Sequence, residues 1–240
     1  MFCTMRKTGG EKFKTFGDVF DNFTLANLVS LAQKGCFMEG TLSTGKIGKE
    51  ANVFFAENEQ GERVCLKIYR LETANFNRMY EYIRSDPRFV GVLHKRRKVI
   101  FAWVQREFRN LMIAADAKVS APKPIKFQSN VLVMSYIGGR QEPAPMLKDA
   151  PPRNPQGFFE KTLENMRTLY ARGYTHGDLS RFNILNHRER PVLIDFSHST
   201  LNTNPIFQEL LERDAKNIAL DFWQYGVKTS KEEILKYIRG

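Results

Sequence analysis

Apolar residues recur at the three-to-four-residue spacing of a helix in five segments of the 240-residue chain. This period is typical of a helix with one face in a core. It predicts helices over residues 23–34, 99–118, 158–172, 205–225 and 230–238. Thr24 is the expected N-cap of the first helix, and Gly35 is its expected C′ residue.

The helix over 99–118 carries an apolar stripe that includes one acid. Ile100, Val104 and Leu111 step along this face, and Glu107 lies four residues before Leu111. An unpaired charge on a buried face is costly. We therefore expect Glu107 to have a partner elsewhere in the chain.

Alternating or continuously apolar runs predict the strands. Residues 41–56 alternate, and a turn at Gly61 separates them from the apolar run 64–69, which together suggest a β-hairpin. The run 131–136 predicts another strand. Residues 184–185 and 192–194 predict two short strands in the second half.

Two segments fit neither period. Residues 71–98 end in the basic cluster 94–98 and are expected to form a long flexible insertion. Residues 141–155 hold five of the ten prolines and are expected to link two lobes.

The predicted fold is α+β. Its parts are a basic N-terminal arm over 1–22, an N-lobe over 23–137, a hinge and linker over 138–155, and a C-lobe over 156–240.

Composition and charge narrow the class of protein. The chain is 42% hydrophobic and 26% charged, as in ordinary globular proteins. Its 37 basic and 26 acidic residues give a net charge of +11, which favours polyanionic partners such as nucleic acid or nucleotide phosphates. The three cysteines form no C-x-x-C pair, and no run of about 18 apolar residues occurs. Secreted, membrane-spanning and zinc-finger classes are therefore excluded, and a cytoplasmic location is expected.

The segment from His176 to Asn183 carries the most informative chemistry. Asp178 precedes Asn183 by five residues, which is the D-x-x-x-x-N spacing of a phosphotransferase catalytic loop. Asp195 follows an apolar strand, twelve residues after Asn183. Phosphoryl transfer needs a carboxylate to position the attacking hydroxyl and hard oxygen ligands for magnesium. We expect Asp178 to serve the first need, and Asn183 with Asp195 to serve the second.

Lys67 lies within the strand V-C-L-K-I-Y, with apolar neighbours on both sides. This pattern resembles the V-A-I-K strand, whose lysine contacts nucleotide phosphates and pairs with a helix glutamate. Glu107 is the acid on the apolar stripe of the long helix. We therefore predict an ion pair between Lys67 and Glu107.

A loop over residues 42–54, L-S-T-G-K-I-G-K-E-A-N-V-F, is able to cradle phosphates with its backbone amides and small side chains. Its glycines, Gly45 and Gly48, follow neither the Walker A spacing nor the G-x-G-x-x-G of ordinary protein kinases. On its own the loop does not identify a nucleotide-binding class.

In combination, these motifs resemble the RIO family of atypical serine/threonine protein kinases. The matching motifs are G-K-E-A-N-V-F, K-I-Y-R, R-E-F-R-N-L, H-G-D-L-S-x-x-N-I-L and L-I-D-F-S. The S-T-G-K and K-E-A-N-V elements favour the type-one subfamily. The inserted residues 47–49 and the D-F-S-H loop at Asp195 depart from the usual type-one pattern.

The resemblance implies a two-lobed kinase fold without the A-P-E segment and the peptide-docking helices. It also implies ATP and Mg²⁺ as cofactors, with Mn²⁺ as a substitute. The expected activity is phosphorylation of serine or threonine, including on the chain itself, with Ser85 as the serine of the 71–98 insertion. An aspartyl-phosphate at Asp195 would add ATPase turnover. The implied partners are the pre-ribosomal small subunit and its RNA.

The resemblance also assigns roles to individual residues. The strand 131–136 becomes the hinge, where the backbone of Ser135 and Ile137 binds adenine beside Met134 as gatekeeper. The implied nucleotide-binding residues are Ile47, Gly48, Lys49, Glu50, Val53, Lys67, Glu107, Met134, Ser135 and Ile137. Asp178 and Asp195 are implied as catalytic, and Asn183 and Asp195 as metal ligands. His176 and His198 are expected to be structural.

Two alternatives stay open on the residues alone. A small-molecule phosphotransferase of the aminoglycoside- or choline-kinase type also carries an H-G-D-x-x-x-x-N loop, but the stretch between residues 157 and 178 leaves room for one helix and its loop. A nucleotide-gated scaffold on pre-ribosomal RNA would use the positive charge. The complete catalytic set argues against such an inactive protein.

Overall fold

The first half of the chain builds a five-stranded antiparallel sheet. The computed structural model describes residues 20–72, 75–92, 94–140 and 142–240, so most of the predicted arm over 1–22 lies outside the described residues. The strand order is β1-β2-β3-β5-β4. The bounds are β1 Ser43–Ile47, β2 Ala51–Glu57, β3 Arg63–Tyr69, β4 Pro124–Gln128 and β5 Val131–Ser135.

The central position of β3 fixes where Lys67 lies. Lys67 is opposite Val53 on β2 and opposite Leu132 on β5. Leu66 and Ile68, on either side of it, are buried in a cluster with Phe54. Because neighbouring side chains of a strand point to opposite faces, Lys67 faces away from that cluster.

The sheet is covered by α1 (Asn22–Gln33) on one face and by α3 (Arg96–Asp116) on the other. The N-cap of α1 is Asp21, whose carboxylate accepts a hydrogen bond from the amide of Thr24. The prediction of Thr24 as the cap is therefore wrong by three residues. Asp21 has an extended backbone, as N-cap residues usually do, and its carboxylate satisfies a free amide in the first turn of the helix.

The segment 71–98 differs most from its prediction. It contains α2 (Phe76–Arg84) and a short 3-10 turn at Pro87–Phe89, where a long flexible insertion was expected. Met79, Tyr82 and Ile83 are buried in the core that α3 shares. These three residues follow the i, i+3, i+4 spacing of one helix face, a period that the sequence analysis missed. Packing against α3 supplies most of the stability of this short helix.

Ser85 is held at the end of α2. Its hydroxyl donates to the Tyr82 carbonyl at 3.2 Å and accepts from the Asn204 side-chain amide at 3.1 Å. Asn204 also donates to the Ser85 carbonyl at 3.1 Å. The serine of the predicted insertion is therefore tied to the second half of the chain.

The second half is mainly helical. Its helices are α4 (Pro155–Ala171), α5 (Phe207–Trp223) and α6 (Lys231–Arg239). Two small antiparallel pairs complete it: β6 (Tyr174–Thr175) with β9 (Thr200–Leu201), and β7 (Ile184–Asn186) with β8 (Pro191–Leu193). The predicted two-lobed α+β fold is confirmed.

The stretch predicted as a linker, 141–155, packs closely against the C-lobe in its described part. Leu147 is fully buried, and its amide donates to the Ile184 carbonyl at 2.8 Å. Met146 forms a bridge with Leu185 of β7. The prolines prevent a helix or a central strand here, but the segment still contributes to the core.

Within the described ranges, no helix combines the length and the apolar character needed to cross a bilayer.

Helix α5 offers a matched test of this packing. Leu211 is 2% exposed and Leu220 is 57% exposed. Leu211→Ala is expected to lower the free energy of unfolding by about 2–5 kcal/mol because it leaves a cavity. Leu220→Ala is expected to change it by less than about 0.5 kcal/mol. Urea denaturation followed by circular dichroism measures both values, and equal losses would contradict the described orientation of α5.

Candidate active site

A cleft of about 830 Å³ lies between the sheet and the C-lobe. Most of the predicted site residues line it: Gly48, Glu50, Val53, Lys67, Glu107, Met134, Ser135, Ile137, Asn183 and Asp195. Ile47 and Lys49 do not line it, and the Ile47 side chain is 58% exposed. Asp178 is half-buried and does not line the cleft, but it is hydrogen-bonded to Asn183, which does.

Lys67 is the centre of the charged groups in the cleft. Its Nζ lies 2.8 Å from Glu107 Oε1 and 3.0 Å from Asp195 Oδ1. The Tyr69 hydroxyl donates to the other Glu107 oxygen, Oε2, at 2.5 Å. Burial alone would lower the pKa of Lys67, but the carboxylates of Asp195 and Glu107 raise it well above its usual value. The predicted Lys67–Glu107 ion pair is confirmed.

Asp195 follows β8 in a left-handed backbone conformation, with φ 65° and ψ 66°. This conformation costs a non-glycine residue about 1–3 kcal/mol and is commonly kept at functional sites. Its Oδ1 accepts from the Ser197 hydroxyl at 2.7 Å as well as from Lys67. Removal from water raises its pKa, but Lys67 and Ser197 lower it further, so the pKa lies well below the usual range. Asp195 is therefore ionised.

Asp178 and Asn183 form one unit in the catalytic loop. The Asn183 side-chain Nδ2 donates to the Asp178 carbonyl at 2.7 Å and to its carboxylate at 3.0 Å. Because the amide nitrogen is committed to Asp178, the amide oxygen is the atom left for a ligand. Burial, followed by the nearby charge of Asp195, raises the pKa of Asp178.

The oxygen atoms of Asn183 and Asp195 fit a magnesium ion. Mg²⁺ is usually bound by one or two protein oxygens, with substrate phosphates and water completing its octahedron. Among the described residues there is no cluster of three His, Cys, Asp or Glu side chains of the kind that forms an all-protein metal cage. The donor set therefore suits a metal that arrives with a nucleotide.

The far end of the cleft is formed by β3 and β5. Met134 is opposite Cys65 in the sheet register, and both line the cleft. The Ser135 amide donates to the Lys123 carbonyl at 2.8 Å, and the Lys123 amide donates to the Ser135 hydroxyl at 2.8 Å. The Ala144 amide donates to the Ile137 carbonyl at 3.0 Å. Burial raises the pKa of the Cys65 thiol to about 12, so the thiol stays neutral.

The turn between β1 and β2 closes the cleft from above. A side chain at Gly48 would place its Cβ 2.5 Å from the Ala51 carbonyl oxygen, so glycine is required there. The Gly48 amide donates to the Asn52 side chain at 3.3 Å. Gly45 and Lys46 also line the cleft, although neither was predicted as a site residue. The insertion over 47–49 directs Ile47 outward, which is why it misses the cleft.

Helix α5 holds the catalytic loop through residues that the sequence analysis missed. The carboxylate of Asp214 is fully buried and accepts from the Gly177 amide at 2.7 Å and from the Leu179 amide at 2.8 Å. The Thr175 hydroxyl donates to it at 2.8 Å. Burial raises the pKa of Asp214 to about 6, although three donors oppose this. The sequence contains a signal for Asp214: it is an acid on the apolar stripe of a helix, the same pattern that identified Glu107.

Arg106 of α3 supports the loop after Asp195 in a similar way. This buried arginine forms an ion pair with Asp86 at 3.0 Å and donates to the Ser197 carbonyl. It also donates to the Thr200 hydroxyl at 3.0 Å. Burial lowers the pKa of Arg106 to about 10, so it remains charged at neutral pH. The residue before Glu107 was not predicted to have a role.

The two histidines near the site are packed rather than exposed to the cleft. A ring nitrogen of His176 lies 3.0 Å from the Ile194 carbonyl, and the ring packs on Phe196. The His198 ring packs edge-on against Tyr82 and Trp103. Burial lowers the pKa of His176 to about 4 and that of His198 to about 3, so both are neutral at pH 7.

A comparison with models of known protein families identifies the family to which these cleft residues belong. The RIO domain model matches residues 52–235, which contain Lys67, Glu107, Asp178, Asn183 and Asp195. The chain belongs to the RIO family. The family predicted from its motifs is therefore confirmed.

Relatives place the chain within the RIO family. It is 41% identical over 231 residues to the RIO-type serine/threonine-protein kinase Rio1 of Methanocaldococcus jannaschii, covering 96% of this chain and 79% of that protein. It is 37% identical over 238 residues to the RIO-type serine/threonine-protein kinase Rio1 of Haloferax volcanii, and the match covers 98% of this chain and 81% of that protein. The chain is thus a RIO-type kinase of the type-one branch.

A solved structure confirms the RIO kinase fold. The Rio2 kinase of Chaetomium thermophilum, described as an ADP/Mg²⁺-phosphoaspartate complex, superposes with a TM-score of 0.69 at 18% identity. The match covers 90% of this chain and 65% of that chain.

Asp214 provides a test of how the catalytic loop is held. Asp214→Ala leaves the Gly177 and Leu179 amides without an acceptor, at a cost of about 1–3 kcal/mol for each buried group. We expect the free energy of unfolding to fall by about 2–5 kcal/mol and hydrogen exchange of these two amides to accelerate. Lys216→Ala, on an exposed position of the same helix, is the control. Unchanged exchange at both amides in the Asp214 variant would contradict the role of Asp214.

Proposed function

We propose that this RIO-type kinase transfers the γ-phosphoryl group of Mg²⁺-ATP to serine or threonine, including on itself, and acts in maturation of the small ribosomal subunit. The observation that carries the proposal is Lys67 held between Glu107 and Asp195 on the floor of the cleft, with Asp178 and Asn183 beside them. Phosphoryl transfer depends mainly on positioning and charge stabilisation, and this arrangement supplies both.

The adenine ring would bind at the far end of the cleft. Met134 and Cys65 give this end an apolar wall, and the backbone of Ser135 and Ile137 supplies the hydrogen bonds. Because the Lys123 amide uses the Ser135 hydroxyl rather than its carbonyl, the Ser135 carbonyl is available as an acceptor for the adenine amino group. The Ile137 amide is the matching donor.

The phosphates would bind nearer the charged groups. Lys67 contacts phosphate oxygens, and the turn around Gly48 covers them with backbone amides. Val53 lies below this turn in β2, and Glu50 lines the same region of the cleft. Asn183 and Asp195 hold Mg²⁺, for which Mn²⁺ is a chemically similar substitute. When bound, the metal neutralises the charge that develops on the transferred group.

Asp178 would position the acceptor. Its carboxylate, kept in place by Asn183, receives the proton of the substrate hydroxyl while the hydroxyl oxygen forms its bond to the γ-phosphorus. The bond between that phosphorus and the β–γ bridging oxygen breaks, and ADP leaves with the electron pair. Burial raises the pKa of Asp178, which makes it a better proton acceptor than an ordinary aspartate.

Asp195 would serve as a second acceptor. A carboxylate oxygen attacks the γ-phosphorus, ADP leaves, and an aspartyl-phosphate forms, which water then hydrolyses to give net ATPase turnover. The ionised state of Asp195 supports this route because no proton has to be removed first. Its Oδ1 is occupied by Lys67 and Ser197, so Oδ2 is the attacking atom.

Ribosomal RNA is the proposed partner of the outer surface. Lys95, Arg96, Arg97 and Lys98 are all exposed, and they surround the N-terminus of α3. Cations at this end of a helix are unfavourable because the helix dipole is positive there. An anionic partner would relieve this repulsion, which supports a phosphate-rich ligand at this position.

Labelled ATP with magnesium tests the transfer reactions. The wild-type chain is expected to label itself, and Lys67→Met is expected to reduce labelling by at least about a hundredfold because phosphate positioning is lost. Lys126→Met removes an exposed strand lysine and is the control. Retained labelling in the Lys67 variant would contradict the proposed site.

The chemistry of the label separates the two acceptors. Asp178→Ala is expected to abolish label on serine and threonine while leaving label that hydroxylamine releases. Asp195→Asn is expected to abolish the hydroxylamine-sensitive label. Nucleotide binding without any turnover, with or without pre-ribosomal particles, would instead support a nucleotide-gated scaffold.

Salt dependence tests the RNA proposal. Binding to small-subunit ribosomal RNA is expected to weaken steeply with salt, and Lys95→Ala with Lys98→Ala is expected to reduce the log–log slope by about 1–2. Lys236→Ala, on the exposed side of α6, is the control. A slope that the paired variant leaves unchanged would exclude the basic cluster as the contact.

A further inference from the structure

Helix α2 packs next to the active site along one edge. Tyr82 is buried, and its ring lies 5.0 Å from the ring of His198, three residues after Asp195. Arg78 precedes Tyr82 by four residues, so the two side chains lie on the same face of α2. The exposed Arg78 therefore stands at the edge of α2 that adjoins the loop carrying Asp195.

The charge of Arg78 acts on groups from three parts of the site. It lowers the pKa of Glu50 in the turn before β2 and of Asp178 in the catalytic loop. It also lowers the pKa of His198 in the loop after β8. Among the described residues, Arg78 forms no ion pair of its own, whereas Arg84 on the same helix pairs with Glu81 at 2.7 Å.

We propose that Arg78 is a catalytic residue that binds the γ-phosphoryl group at the mouth of the cleft, opposite Lys67. The proposal rests on the proposed function, because it assigns a further residue to the same transfer. Lys67 approaches the phosphates from the floor of the cleft, between β3 and α3. Arg78 does not itself line the cleft, but its charge acts on Glu50 and Asp178, so its exposed side chain on α2 is close enough to approach the phosphates from the opposite side.

The chemistry of arginine suits this position. A guanidinium group is planar, stays charged and binds phosphate oxygens with two parallel hydrogen bonds. The three carboxylates Glu50, Asp178 and Asp195 interact with one another there. Because Lys67 is paired with Glu107, these three carboxylates outnumber the two charges that Mg²⁺ would bring, so a further cation would favour binding of a γ-phosphate. In the transition state, negative charge spreads over the equatorial oxygens of the transferred group, and a positioned arginine stabilises that charge.

In this proposal, helix α2 has the function of positioning Arg78 for the reaction. The segment 71–98 carries Arg78 on an ordered helix, and the contacts of Tyr82 with His198 and Trp103 fix that helix against the core. Ser85, hydrogen-bonded to Asn204, anchors the other end of α2. The helix that carries Arg78 is thus held by both halves of the chain.

Affinity and rate measurements on the full chain test the proposal. Arg78→Ala is expected to leave ADP affinity within about twofold and to weaken binding of an ATP analogue with an imido β–γ bridge by about tenfold or more, since a charged hydrogen bond to the γ-phosphate is lost. Single-turnover phosphoryl transfer is expected to slow by at least tenfold. Arg78→Lys is expected to recover part of both losses.

Arg84→Ala is the matched control, because it removes an exposed arginine from the same helix. It is expected to match the wild type in both measurements. If Arg78→Ala behaves like Arg84→Ala, the proposal is overturned. If the wild type transfers no phosphate, the proposed function fails, while the ratio of analogue to ADP affinity still decides whether Arg78 recognises a γ-phosphate.

Discussion

The position of Lys67 between two carboxylates is the constraint on which the rest of the site depends. The pair with Glu107 joins β3 to α3, and the contact with Asp195 joins β3 to the C-lobe. Burying such charges brings little net stability, because the loss of hydration offsets most of the attraction. What the arrangement provides is position: one ammonium group, kept charged, fixes the distance between the sheet, the long helix and the loop after β8.

Two buried charges outside the cleft extend this constraint to the loops. Asp214 holds the backbone before and after Asp178, and Arg106 holds the backbone after Asp195. Each is a helix residue whose partners include backbone groups of the loops around Asp178 or Asp195. Hydrogen bonds to a buried charge are stronger than neutral ones. The loops are therefore held by these polar contacts as well as by the buried side chains of Leu179 and Phe196.

The sequence allowed the chemistry to be predicted better than the packing. Lys67, Glu107 and Asp195 stand out because charges interrupt apolar runs, and a charge at such a place needs a partner. Helix α2 was missed because it is nine residues long, so the helical spacing of Met79, Tyr82 and Ile83 covers little more than one turn within an otherwise irregular segment. Ile47 and Lys49 were placed in the site by resemblance, but an insertion in a turn changes the direction of side chains without changing the surrounding motif.

The distribution of charge differs between the cleft and the chain as a whole. The chain as a whole carries +11, yet Glu50, Glu107 and Asp195 line the cleft together with the buried Lys67, and Asp178 lies beside Asn183. Asp195 raises the pKa of both Glu50 and Asp178, which shows that these carboxylates repel one another. A free polyanion is therefore disfavoured in the cleft, whereas a nucleotide that brings a divalent cation relieves the repulsion. The outer surface, where the excess positive charge lies, has no such requirement. The carboxylates of the cleft and the net charge of the chain thus have opposite signs, and this difference is the physical basis for proposing a metal-bound nucleotide inside the cleft and RNA outside it.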